Sequence, residues 1–391
     1  MSLTTASPGP LAARERVLGP DLARGLMLAL IALANSVYYL HGRPYGSRQH
    51  IVEEGILDRI VSVLDVAAVD ARAYPMFAAL YAYGVVRIFQ RQKAAGRSDQ
   101  EAKKLLRRRS RWLIVFGFVH ATLLFPGDVL GLYGLAGFVL VALTRVSNRA
   151  LIVIAGLWLV PVAVIQGGAA MMPPTGQREY FFSFETESLT KALALHPVEW
   201  LMVPIGMVGV WSALLIGTWA ARRGVLTDPA AHRPLLVRTA AIGLPVAVLG
   251  GLPAGLGVGR FWSPTTVDGL WAVSALHAVT GIAGGLGYAA LIGLIALRIG
   301  ERRGPVVRAL VATGQRSMTC YLFQSVVFVA LLSPYTLGLG AKLGTAEVGA
   351  LALATWLVSV VIADLLRRAD RRGPADALLR RLTYRRGKIP A

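Results

Sequence analysis

Three runs of this sequence, residues 25–40, 239–259 and 270–297, contain no Asp, Glu, Lys or Arg. Each approaches or exceeds the roughly 20 apolar residues that cross about 30 Å of hydrocarbon. A lipid interior offers the backbone no partner, so runs of this length must close their own hydrogen bonds as helices. Only 16% of the 391 residues are charged, against about 25% in a soluble domain, and the apolar runs account for the deficit. The pattern predicts an all-α, polytopic integral membrane helical bundle, a single transmembrane domain over 1–391 with about ten spanning helices of ordinary length.

The expected spans are 22–40, 71–89, 112–125, 129–143, 150–165, 200–221, 239–258, 270–297, 309–332 and 348–366. Residues 112–143 are read as a hairpin, because one helix of that length would reach about 48 Å. Pro126-Gly127-Asp128 supplies the turn, and basic clusters on both flanks (RRRSR before, RVSNR after) put both ends on one side. Of the 41 Lys and Arg residues, eight fall in the segments then assigned outside, Arg316 falls within a span, and 32 fall on the other side. That bias predicts cytoplasmic N- and C-termini in a multi-pass protein of the cell (plasma) membrane. No small-residue cleavage site follows the first apolar run, so it is expected to remain as a helix.

A net charge of +20 raises the question of nucleic acid. The basic residues sit in short clusters between apolar runs, without interleaved aromatics, so no nucleic-acid partner is expected. Membrane lipids are the expected surroundings, with the basic tail 367–391 on anionic headgroups. Residues 41–70 contain IVEEGILDRIVSVL, whose apolar spacing predicts a helix on the outer surface or over a cavity. The single cysteine, Cys320, excludes an internal disulfide.

Polar side chains inside apolar runs are costly and therefore informative. They are Asn35, Asp70, His120, Asp128, His277, Arg316 and Gln324, with His41 just past the first span. Most converge on the outer half of the bundle, which suggests one outward-facing cavity. His120, about 12 Å from the inner end of its span, needs a partner there. Asp128 either caps the next helix or serves the chemistry. Asn35 either bonds a neighbouring helix or joins the site. Asp70 and Arg72 either pair with each other or line it. Arg316 either meets a phosphate from the cytoplasmic side or snorkels to headgroups. The glycines 281, 284, 285 and 287 are expected to permit close helix packing. No metal-binding spacing, phosphate loop or serine-nucleophile motif is present, so no metal or prosthetic group is expected.

Four stretches resemble the bacterial YeiB/DUF418 family in its actinobacterial form: DLARGLMLALIALAN (21–35), VDARAYPMFAALYAYGV (69–85), RRRSRWLIVFGFVHATLLFPGDVLGLYGLAGF (107–138), and GQRSMTCYLFQS (314–325) followed by GPADALLRRLTY (373–384). Ala71 and Ala82 stand where the family pattern has glycine, Cys320 where it has Asn, and Asp376 where it has Glu. The resemblance implies a YeiB-like half over 22–230 and a DUF418-like half over 231–391. It also implies kinship with transmembrane acyltransferases such as the lysosomal heparan glucosaminide acetyltransferase, which pass an acyl group from cytosolic acyl-CoA to an acceptor across the membrane. An Asn in the first helix and a His shortly after it are linked to catalysis there, and Asn35 and His41 fall in similar places with a shorter spacing.

The expected activity is therefore acyl transfer from cytosolic acyl-CoA to a small-molecule, sugar or lipid acceptor at the outer face. His120 or His41 would be the base, with Asp128 or Asp70 orienting it and Asn35 nearby. Arg72, Tyr133, His277 and Gln324 would bind substrate, and Arg316 and Arg24 the donor phosphates. The alternative is a small-molecule or lipid transporter or exporter, with the same polar cluster as its midplane site.

Overall fold

The computed structural model describes residues 18–169, 175–301 and 303–384. The segment before Leu18 and the basic end of the tail lie outside the described residues. Among the described residues, fifteen α-helices are formed: α1 (Leu18–Ser36), α2 (Ile56–Ala68), α3 (Ala73–Ala94), α4 (Asp99–Leu123), α5 (Leu130–Ala142), α6 (Asn148–Leu157), α7 (Leu159–Gly168), α8 (Leu189–Gly206), α9 (Val210–Arg223), α10 (Arg233–Val258), α11 (Val267–Ile299), α12 (Pro305–Gln315), α13 (Ser317–Leu332), α14 (Thr345–Arg368) and α15 (Pro374–Tyr384). Among the described residues the only β-type pairings are single bridges from Tyr45 to Ile51 and to Gly176.

Among the described residues, five stretches are each long and apolar enough to cross a membrane: α1 with its short extension to Tyr39, the α6–α7 pair, α10, α11 and α14. The pair α8 and α9 makes a sixth if counted as one span. The expected hairpin is present, with α4 and α5 packed side by side around Pro126-Gly127.

Two expected spans are corrected. Residues 200–221 are not one straight helix: α8 begins eleven residues earlier, at Leu189, and meets α9 at a bend of 63°. Pro197 and Pro204 each remove a backbone donor in α8, which weakens the helix approaching that bend. Residues 309–332 break between α12 and α13 at Arg316, whose φ of −117° and ψ of 26° leave the helical region. The Arg316 side chain reaches across to the carbonyl of Arg371 and also back to that of Ala312 on α12.

Helices α1 and α15 are both tied to the α12–α13 break at one end of the bundle. Gln315 donates to Asp21 of α1 at 3.1 Å. Asp376 of α15 accepts from the Thr319 amide at 3.1 Å and its hydroxyl at 2.7 Å, capping α13. At the opposite end, Glu53 accepts from the Thr345 amide and hydroxyl, both at 2.7 Å, and Asp58 from the Ala346 amide at 2.8 Å. Carboxylates at a helix N-terminus satisfy its orphan donors and its positive dipole end together. On α2, Ile56, Leu57, Ile60 and Leu64 keep an exposed apolar face.

The α1–α12 crossing depends on absent side chains. A Cβ on Gly314 would lie 1.8 Å from the Asp21 carbonyl oxygen, and one on Gly25 2.1 Å from that of Leu310. The glycines of α11 work the same way: Gly281 faces the Ala71 carbonyl, and Gly284 the Arg72 side chain. Gly156 has no neighbour within 4 Å. Gly314→Ala is therefore expected to destabilise the protein by about 1–3 kcal/mol through overpacking, while Gly156→Ala is neutral or slightly stabilising. Thermal unfolding of the two purified variants checks the contrast.

Candidate functional site

Two polar clusters flank the 125–129 turn. The first is a relay. His120 Nδ1 lies 2.7 Å from Asp128 Oδ1, and His120 Nε2 lies 2.8 Å from Ser325 Oγ. All three residues are at least 97% buried. Asp128 Oδ2 accepts from the Gly131 amide at 2.8 Å, so the carboxylate caps α5 and holds the imidazole at once. With the Asp128 carboxylate as acceptor, the histidine proton sits on Nδ1, leaving Nε2 to accept from the serine.

The sequence sets this geometry locally. His120 is in the last turn of α4 and Asp128 just before α5, so the tight hairpin brings them together. Gly117 permits the approach: a Cβ there would lie 2.2 Å from the Gly131 nitrogen and 2.5 Å from Asp128 Oδ2. Ser325 arrives from α13. Tyr321, one turn earlier, sets its ring 4.9 Å from that of His120 at a tilt of 53°, with its hydroxyl buried.

The second cluster borders a cavity of about 660 Å³. Arg48 donates from Nε and Nη2 to Asp70 Oδ2 at 3.1 and 2.7 Å. His277 Nε2 lies 3.3 Å from the same oxygen. Arg72, fully buried, donates to the Asp70 carbonyl at 2.7 Å, to His277 Nδ1 at 3.0 Å and to the Ala247 carbonyl at 2.6 Å. Asp70 and Arg72 thus do not form a side-chain pair: Asp70 pairs with Arg48, and Arg72 holds the backbone and the imidazole.

Backbone strain concentrates here. Arg48, Gln49, Ala71 and Phe181 have φ of 58°, 59°, 59° and 57°, and all four line the cavity. Non-glycine residues rarely enter that region, and their clustering marks functional sites. Ala71 occupies the place where the resembling family pattern has glycine, the residue that tolerates this φ without cost.

Of the residues singled out from the sequence, Asn35, Asp70 and Tyr133 line the cavity. Asn35 makes no hydrogen bond to another described residue. Tyr133 stacks on Tyr81 at 4.9 Å. His277 and Arg72 stand behind the wall. His41 is apart from both clusters, bonded through Nδ1 to the Tyr39 carbonyl at 2.9 Å. Gln324 donates to the Leu28 carbonyl at 3.3 Å. Arg24 donates to Asp21 and to the Leu80 carbonyl, and Arg316 to the carbonyls of Arg371 and Ala312. The single expected cavity is therefore two sites sharing one turn, with Phe125, Gly127 and Val129 in the cavity wall on either side of Asp128. No group of three metal-ligating side chains converges among the described residues.

Three participants were not singled out in the sequence. Ser325 carries no local nucleophile motif. Arg48 and Arg178 looked like loop charges. Arg178 donates to the Leu40 carbonyl at 2.8 Å and the Tyr45 hydroxyl at 2.6 Å, pinning the loops over the cavity.

Asp65, on α2 outside the spans, adds a pH response. Burial, and then the nearby Asp70 carboxylate, push its carboxyl up to about 7. A group raised in the folded state penalises folding as pH rises from its unfolded value near 4 toward about 7. Asp65→Asn is thus expected to raise the melting temperature at pH 8 and to leave it unchanged at pH 4. Parallel melts at the two pH values test this.

Over residues 220–386 the chain matches the family described as "Protein of unknown function (DUF418)". It is 24% identical to the "Uncharacterized protein YxaH" of Bacillus subtilis (strain 168) over 409 residues, covering 96% of each chain. It is 24% identical to the "Uncharacterized protein YeiB" of Escherichia coli (strain K12) over 308 residues, covering 72% of this chain and 78% of that one. The chain therefore carries a DUF418 match over its C-terminal part and is similar, over most of its length, to YxaH and YeiB.

Proposed function

We propose that this is a membrane acyltransferase whose nucleophile is Ser325, activated by His120 and oriented by Asp128. The observation that carries the reading is the unbroken relay of 2.7 and 2.8 Å from carboxylate to imidazole to hydroxyl. Nucleophile, base and orienting group within hydrogen-bond reach are the signature of covalent acyl transfer.

In this reading Ser325 Oγ attacks the carbonyl carbon of an acyl thioester, and its proton passes to His120 Nε2. The C–S bond breaks, and the thiol leaves with the proton that His120 returns. An acceptor hydroxyl, deprotonated by the same nitrogen, then attacks the acyl-serine; the serine C–O bond breaks and Ser325 Oγ takes that proton back from His120. The Tyr321 hydroxyl is assigned to steady the oxyanion formed at each attack. Acyl-CoA from the cytoplasm is the proposed donor.

The proposed setting is ten crossings of the plasma membrane with cytoplasmic termini. The Lys/Arg bias supports it, as do the bonds that bring α1 and α15 to one end of the bundle. The relay then sits in the outer half of the bundle, since His120 is about 12 Å from the inner end of its span and in the last turn of α4, next to the hairpin turn. The inner arginines Arg24 and Arg316 are held by backbone carbonyls in this state, so donor phosphates would have to draw them away.

A second reading, transport, is favoured by one observation: the large cavity bordered by the buried Arg48–Asp70–His277 group. The test is to incubate purified protein with short-chain acyl-CoA and weigh the intact chain by mass spectrometry. One acyl adduct on Ser325, absent in Ser325→Ala and reduced about 10²–10⁴-fold in rate in His120→Ala, is the expected result. His41→Ala should acylate normally. Equal turnover in wild type, Ser325→Ala and His120→Ala would sink the mechanism.

A further inference from the structure

The cavity is not closed on all sides. One wall is α8, which packs against α4 with its other face on the cavity. The facing wall comes from α7, α10 and α11, through residues such as Ile165, Pro253 and Val273. Val198, Met202 and Ile205 of α8 line the cavity yet remain 61%, 57% and 59% exposed. They stand roughly 14–24 Å along α8 from its start at Leu189, within the α8–α9 stretch that together is long and apolar enough to cross a membrane. The opening is thus a slit in the bundle wall, lined by apolar side chains and facing lipid. The Gln166 amide bonds the Gly206 carbonyl at 2.6 Å and closes its far end.

At the inner side of the slit the chemistry changes. Asn35 has both amide atoms unused. Arg48 spends Nε and Nη2 on Asp70, and Nη1 bonds no other described residue. Asp70 receives its partners on Oδ2, and Oδ1 bonds no other described side chain or amide. Tyr38, Tyr74 and Tyr180 line the same space. Donors and acceptors therefore alternate, with aromatic faces among them. A hydroxyl group both donates and accepts, so a cluster of hydroxyls uses all of these atoms. An anionic head group would meet Asp70, Glu179 and Glu199 in the lining against Arg48 alone.

We infer that the cavity takes an amphiphile from the surrounding leaflet, with its apolar chain in the slit beside α8 and an uncharged, hydroxyl-rich head group against Asn35, Arg48 and Asp70. As an acyl acceptor its role rests on the acyl-transfer reading, because a head-group hydroxyl is what the relay would acylate; its binding does not.

The experiment uses the full chain held in an amphipathic polymer free of sugar detergents, with radiolabelled octyl glucoside below its micelle concentration in equilibrium dialysis. Saturable binding is expected, with free glucose at least about tenfold weaker and octyl phosphate failing to displace the label at equal concentration. Met202→Trp and Val198→Trp, which fill the slit, and Asn35→Leu, which removes head-group bonds, should each weaken binding about tenfold or more. Two slit variants are used so that one misfolded protein does not decide the outcome. Glucose binding as tightly as octyl glucoside, displacement by octyl phosphate, or wild-type affinity in both folded tryptophan variants overturns the inference. Acylation of Ser325 without saturable octyl glucoside binding overturns it while leaving acyl transfer intact. Binding as expected without acylation of Ser325 supports the cavity's ligand and removes the transferase.

Discussion

A bilayer gives a buried ionisable side chain no water to fall back on, so each one here must be met by another part of the chain. The His120–Asp128 bond is where that demand shapes most of the structure. It requires a hairpin tight enough to return Asp128 to the helix that carries His120. The hairpin requires Gly117 opposite Gly131. The imidazole's second nitrogen then requires a partner from a third helix, which fixes how α13 lies against α4. The wall of the cavity is what remains of the same turn once Asp128 is committed inward.

The sequence disclosed features whose causes are local. The uncharged runs, the Pro126-Gly127 turn and the approach of His120 to Asp128 all follow from residues close together in the chain. Ser325 belongs to the other kind. It is separated from His120 by 205 positions, and only the packing of α13 joins them. The breaks at Arg316 and at the α8–α9 bend were hidden for a related reason. Hydropathy counts apolar residues and is blind to a helix that stops and restarts within the same apolar stretch. Asp70 and Arg72 were legible as costly groups, but their partners, Arg48, His277 and the Ala247 carbonyl, come from distant segments.

The loops between the helices show how such groups are shielded without a separate domain. Residues 41–70 contribute Arg48 to the cavity and Glu53 and Asp58 to the start of α14. Arg178 fastens the region above them through Tyr45 and the carbonyls at the end of the first span. The left-handed residues Arg48, Gln49, Ala71 and Phe181 are tolerated because these bonds over-determine the backbone on both sides.

The cap that Asp376 places on α13 has a consequence at the far end of that helix. Successive residues of a helix point about 100° apart, so a slip of α13 by one residue would swing Ser325 away from His120 altogether. Thr319, gripped by α15, lies six positions before Ser325, and Arg316, anchored to Arg371, lies nine before it. The tail therefore acts as an indexing pin: it sets the rotational phase of a helix whose reactive-looking hydroxyl sits deeper in the bundle. A part of the chain that touches neither the relay nor the cavity decides whether the relay is in register.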